Sequence, residues 1–162
     1  MTEINIPLTQ DAIESLHAGQ SVLLSGAVYT ARDAAHARLH AMLQANQPLP
    51  FELSGSGLYY AGPCPDMPGR VINSCGPTTS SRMNAFAPLL YDMGVKFVIG
   101  KGPVSSDVRS AIVRNGAVYF AAVGGAGALI ASRPCSSTRI AIPSVSPEPR
   151  PARRGRPSCT PC

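Results

Sequence analysis

The sequence predicts an α/β domain built in layers, followed by a tail that has no core of its own. Three observations predict it. Short apolar runs of strand length alternate with segments of helical periodicity as far as Ala131, an order that builds a sheet covered by helices. The longest apolar stretches, Ala117 to Ala122 and Ala126 to Ala131, fall far short of the roughly twenty residues a membrane span needs. After Ala131 the texture changes: the last thirty residues hold seven prolines and six arginines but no aromatic residue. Such a composition cannot bury enough apolar surface to offset chain entropy. Residues 1–132 are therefore expected to be the domain and residues 133–162 a disordered Arg/Pro-rich tail.

From the N-terminus, Gln10 to His17 reads as a short helix with Thr9 as its cap and Gly19 as its stop. Ser21 to Ser25 is a short buried strand and Ala27 to Thr30 a second strand-like piece. Asp33 can cap a helix running to about Ala45, whose apolar stripe is Ala35, Leu39 and Met42; Asn46 to Pro50 breaks it. Gly57 to Ala61 and Arg70 to Asn73 are strand candidates, separated by Gly62 to Gly69, a stretch with three prolines that is rigid and non-helical. Thr78 or Thr79 can cap an apolar helix through Met83, Phe86, Leu89, Leu90 and Met93. Lys96 to Ile99 is a buried strand ending in Gly100-Lys101-Gly102. A helix from Ser105 to Asn115, a strand from Ala117 to Val123 and a Gly124-Gly125 turn into a small-residue helix complete the domain.

Charge and cysteines limit the function classes. The net charge of +5 lies wholly in the tail, where six arginines face the single acid Glu148, while the first 132 residues carry eight basic and eight acidic side chains. Nucleic-acid binding is therefore a property of the tail or of nothing. That tail lacks the aromatic residues and structured basic face of a specific binder. Five cysteines, an odd number, argue against a disulfide framework. Cys159 and Cys162 form a lone CxxC without a second pair or a nearby histidine, which is weak grounds for zinc. Met1 to Gln10 lacks a basic start and apolar run, so no secretory signal is read there. The cytoplasm is the expected compartment.

Three loops pair a cation with a backbone able to approach a ligand. They are Thr30 to His36 with Arg32, Gly76-Pro77-Thr78-Thr79-Ser80-Ser81-Arg82-Met83, and Gly100-Lys101-Gly102. Each follows a strand candidate, the place where open α/β sheets gather ligands. Two planar guanidinium forks and a compact ammonium suit a small dicarboxylate. Plainer readings stay open: the Gly-Pro-Thr-Thr turn as an ordinary helix cap, Arg32 paired with Asp33, Lys101 as a solvated lysine, His36 as a structural histidine on the face of Arg32. The phosphate-binding spacing GxxxxGK[ST] is absent, and neither Cys64 nor Cys75 has a partner base in the sequence pattern.

Taken together, "SGAVYTARDAAHARL", "YYAGPCP", "GPTTSSRM", "IGKG" and "VYFAAVGGAGALIA" resemble the beta subunit, or C-terminal domain, of class I iron–sulfur fumarate hydratases and the related tartrate dehydratase beta subunits. The motifs keep the family's order. The resemblance implies a swivelling β/β/α domain that closes like a lid on a larger alpha subunit. It implies a 4Fe-4S cluster held by that alpha subunit, not by Cys64 or Cys75, with one iron acting as a Lewis acid on substrate. It also implies that Arg32, Arg82 and Lys101 bind the dicarboxylate and that Thr78 is the catalytic base. The implied assembly is a heteromer, a dimer of heterodimers, with this chain inactive alone. Fumarate is favoured over tartrate, although Asn84 stands where the fumarase pattern has aspartate after Arg-Met. Where the family continues with further ordered chain, this sequence gives the Arg/Pro-rich ending, which implies a C-terminally truncated or frameshifted subunit. A non-catalytic binding module is the competing reading.

Overall fold

The computed structural model describes residues 2–62, 64 and 74–122 and the backbone of Ile140–Pro143. In chain order its elements are β1 (Thr2–Asn5), α1 (Gln10–Glu14), β2 (Ser21–Ser25), β3 (Tyr29–Thr30), α2 (Asp33–Gln44), β4 (Gly57–Tyr59), a 3-10 turn (Ser80–Met83), α3 (Ala87–Asp92), β5 (Phe97–Gly100), α4 (Ser106–Arg114), β6 (Val118–Ala121) and β7 (Ile140–Pro143).

Strands β3, β4, β5 and β6 form one parallel sheet in that spatial order. A sheet laid down in sequence order with right-handed crossovers puts all its connecting helices on one face. Leu39 of α2, Leu90 and Tyr91 of α3, and Val108, Ala111 and Ile112 of α4 accordingly share a core with Leu58, Val98 and Tyr119 of the sheet. The opposite face is left for a second sheet, in the order β1-β2-β7. Ile4, Val22 and Leu24 of that sheet pack on Tyr59, Phe97, Ile99 and Phe120. Alternate residues of one strand thus serve two cores, as the period of two in a strand dictates. β5 is buried at all four positions, the signature of a parallel strand covered on both faces. The result is the expected α/β architecture in β/β/α layers. No helix among the described residues is long and apolar enough to cross a membrane.

Several local expectations hold. β2 and β5 lie where the apolar runs placed them, and Thr9 caps α1 by accepting from the Ala12 amide. α1 is shorter than expected, ending at Glu14. The expectation that Asp33 caps α2 is corrected: Arg32 occupies the cap position in extended conformation, and Asp33 is the acid in the first turn, where a carboxylate complements the helix dipole. The single helix expected from Thr78 or Thr79 to Met93 is also corrected. The chain makes one 3-10 turn, Ser80–Met83, then restarts as α3 with Pro88 in its first turn, and neither threonine gives a side-chain cap. Proline lacks an N–H and its ring clashes with the carbonyl four residues back, so a helix cannot run through Pro88 but can begin around it.

Two strands were not foreseen. β1 offers one inward residue, Ile4, among polar ones, and exists because it pairs in parallel with β2, Ile4 opposite Leu24. β7 amends the expectation of a tail without structure. Residues 140–143 pair antiparallel with β2, position 142 opposite Val22, where the β-branched pair Ile140 and Ile142 suits an extended backbone and an open sheet edge offers partners. The strand candidate at Arg70 to Asn73, the Gly124-Gly125 turn with its helix, and the cysteines at 135, 159 and 162 lie outside the described residues.

Candidate functional site

The three cation-bearing loops meet at the carboxyl edge of the parallel sheet. β3 and β4 end in register at Thr30 and Tyr59, β5 at Ile99 and Gly100. Just beyond, β4 and β5 part, and the Gly-Pro-Thr-Thr-Ser segment fills the split. On one side Pro77 bridges Ala61, and the Thr78 amide donates to the Tyr60 carbonyl at 2.7 Å. On the other, Thr79 bridges Lys101, and the Ser80 amide donates to the Lys101 carbonyl at 2.9 Å. Thr78 therefore lies between two bridged residues at the strand ends and is half-buried.

Arg32 enters from the β3 side. Its carbonyl accepts from the His36 amide at 2.8 Å and from His36 Nδ1 at 2.9 Å, which fixes the cap residue from which the side chain extends. The side chain crosses Gly62: a Cβ built there would lie 2.7 Å from Arg32 Cδ, so only glycine lets the arginine lie flat against the segment leaving β4. Arg32 Nε also donates to Asp33 Oδ1 at 3.0 Å. The local ion pair and the place at the edge coexist. The Arg32 guanidinium holds the Asp33 carboxyl below its ordinary value, and the charge of Arg82 adds to the effect. The Asp33 carboxylate is thus paired with one guanidinium, that of Arg32, and feels the charge of a second at longer range.

His36 is wholly buried, edge-on to Tyr60, and its Nε2 has no partner among the described residues. Burial pushes its pKa down, against the bond to the Arg32 carbonyl. Full burial fits the plainer reading of a structural histidine. Lys101 is half-buried at the other margin. Its backbone is gripped by Ser80 and that of the next residue, Gly102, by Tyr119, which the sequence reading missed. The Lys101 amide donates to Ser80 Oγ at 3.0 Å, Ser80 Oγ and the Tyr119 hydroxyl are 2.7 Å apart, and that hydroxyl donates to the Gly102 carbonyl at 2.9 Å. The partners lie far apart in sequence, so the only local signal was a serine inside the Gly-Pro-Thr-Thr motif. Asn84 accepts from the Ser105 amide at 3.4 Å, a task its carbonyl oxygen performs as a carboxylate would.

The donor set meeting at this edge is two guanidinium groups, an ammonium and hydroxyls, which suit an anion and not a metal cluster. Cys75 is buried with its carbonyl bound by the Tyr59 hydroxyl, and burial, with Cys64 nearby, pushes its thiol pKa up, away from the thiolate a cluster needs. No group of three metal-ligating side chains occurs among the described residues. A 4Fe-4S cluster does not fit the described part of this chain.

Comparison with known proteins gives the family. Residues 1–144 match the family model described as Fumarase C-terminus. The chain is 38% identical over 128 residues to a putative L(+)-tartrate dehydratase subunit beta of Methanocaldococcus jannaschii, covering 77% of this chain and 66% of that protein. It is 34% identical over 132 residues to fumarate hydratase 2 of Leishmania major, covering 80% of this chain and 23% of the relative. It is also 34% identical over 111 residues to the anaerobic class I fumarate hydratase of Escherichia coli, covering 68% and 20%. The chain thus spans about two thirds of the tartrate dehydratase subunit and about a quarter or less of the fumarate hydratases. The match extends past Arg133 and takes in β7. By that match, which spans the layers and loops described above, the chain belongs to the fumarase C-terminus family.

Proposed function

We propose that this chain supplies the carboxylate-binding and proton-transfer residues of a hydro-lyase interconverting fumarate and malate, acting with an alpha-type partner that carries the 4Fe-4S cluster. What supports the reading is that the loops carrying Arg32, Thr78, Arg82 and Lys101 come to one sheet edge around the wedged segment 77–80. Arg32 and Arg82 neutralise and orient the carboxylates of the substrate, and Lys101 adds a point charge from the β5 margin. The Thr78 hydroxyl takes or returns the proton at the substrate carbon. A hydroxyl is a poor base in water, and surrounding cations favour its deprotonated form.

A second reading, dehydration of tartrate, is favoured by the Methanocaldococcus relative, of whose length this chain covers far more than of the fumarate hydratases above. A binding module without turnover is the third. Anaerobic reconstitution of the full chain with its alpha-type partner separates them, by following fumarate hydration and tartrate dehydration in turn. The first reading expects fumarate turnover that needs both chains and falls about a hundredfold in kcat/KM in Arg82→Ala or Lys101→Ala. Turnover of tartrate alone selects the second reading, and turnover of neither by a cluster-loaded complex leaves the binding module.

A further inference from the structure

We propose that Ser80 and Tyr119 are positioning residues that lock the Lys101 peptide in register with Thr78, so that the proton-transfer group and the β5-side cation are set by one buried hydroxyl pair. The inference rests on the reading of Thr78 and Lys101 as site residues. Its direction of donation follows from the partners. The Gly102 carbonyl can only accept, so the single Tyr119 proton goes there. The Ser80 hydroxyl, 2.7 Å away, then gives its proton to the Tyr119 oxygen and keeps its lone pairs for the Lys101 amide. With the Ser80 amide on the Lys101 carbonyl, the peptide is held before, at and after Lys101. The pair is buried, Ser80 at 1% and Tyr119 at 8% exposure, so water does not readily replace a lost member. Gly100 completes the fit: a Cβ there would collide with Ser80 Oγ, and would come within 2.9 Å of the Tyr119 oxygen. None of these atoms faces substrate through a charge, so the pair acts through Lys101 and Thr78.

Full chain reconstituted with its alpha-type partner tests this with Tyr119→Phe, Ser80→Ala and the double variant, each also made in a Lys101→Ala background. The expected result is a KM for the turned-over dicarboxylate raised about tenfold in Tyr119→Phe, with kcat changed less. The double variant should be no worse than the poorer single one, and the KM effect should vanish once Lys101 is alanine. A second readout is amide hydrogen exchange at Lys101 in the full chain, which should speed up in both single variants. Lower melting temperatures with wild-type KM and wild-type exchange at Lys101 would overturn the proposal, as would a KM effect that persists undiminished without Lys101. Should the wild-type complex turn over neither substrate, the hydro-lyase reading fails, while the exchange at Lys101 still decides for or against the lock.

Discussion

At the β3 margin of the site, Arg32 extends from a helix-start residue across Gly62 and pairs with its neighbour Asp33, the two side chains 46% and 45% exposed. At the β5 margin, the backbone is fixed at Lys101 by Ser80 and at Gly102 by Tyr119, both buried. An exposed ion pair is weak and easily exchanged, because water screens it and two long side chains must be held. A buried hydroxyl pair is the opposite: each member, if left alone, keeps its desolvation cost. The difference teaches a division of labour. One margin is fixed by buried bonds, whereas the other holds its carboxylate in an exposed pair, which under the proposed function a substrate carboxylate would displace.

The largest effect should come from breaking the rigid margin. Gly100→Ala pushes a methyl group into Ser80 Oγ and towards Tyr119, and we expect a loss of about 3 kcal/mol in urea unfolding. A loss near zero would mean that the hydroxyl pair is not tightly packed.

Next in size is a pH effect rooted beneath the Arg32 margin. Burial lowers the pKa of His36 in the folded chain, so the unfolded chain takes up a proton first as pH falls. Stability is full above the ordinary 6.5 and is lost as pH drops through that value towards the lower folded one. The unfolding midpoint of the wild-type chain should fall over that window, and His36→Gln, which keeps a donor for the Arg32 carbonyl, should flatten the slope. An equal slope in both would remove His36 from the account.

The smallest effect should be at the exposed pair itself. Asp33→Asn removes the carboxylate that Arg32 holds, and the unfolding midpoint should stay where it is, since surface pairs contribute little. In the reconstituted complex the same change should lower KM for the dicarboxylate, because the guanidinium groups lose a competitor. A raised KM would show that Asp33 orients Arg32 more than it occupies it.

How much of this was legible in the sequence differs from residue to residue. β2 and β5 were, because Val22-Leu23-Leu24 and Phe97-Val98-Ile99 are apolar, β-branched-rich and bounded by turn residues. The start of α3 was misplaced because apolar spacing was weighed without Pro88, whose missing N–H overrides periodicity. β1 and β7 were missed because each is a strand only by virtue of the edge of β2. Arg32, Thr78, Arg82 and Lys101 were legible as candidates, since each sits in a loop with its own turn chemistry. Ser80 and Tyr119 were not, because their partnership spans 39 positions of chain.

The sequence by itself determined the alternation of elements, the family and the cationic loops, all of which are written within short windows of residues. Only the tertiary structure decided that the Gly-Pro-Thr-Thr segment is a wedge between two strands and not a helix cap, and that two buried hydroxyls hold the backbone at Lys101 and Gly102. The physical reason is the range of the forces involved. Turn preference and hydrophobic period act between near neighbours in the chain, whereas burial and the hydrogen bonds it makes costly to lose are settled only when distant strands close on one another.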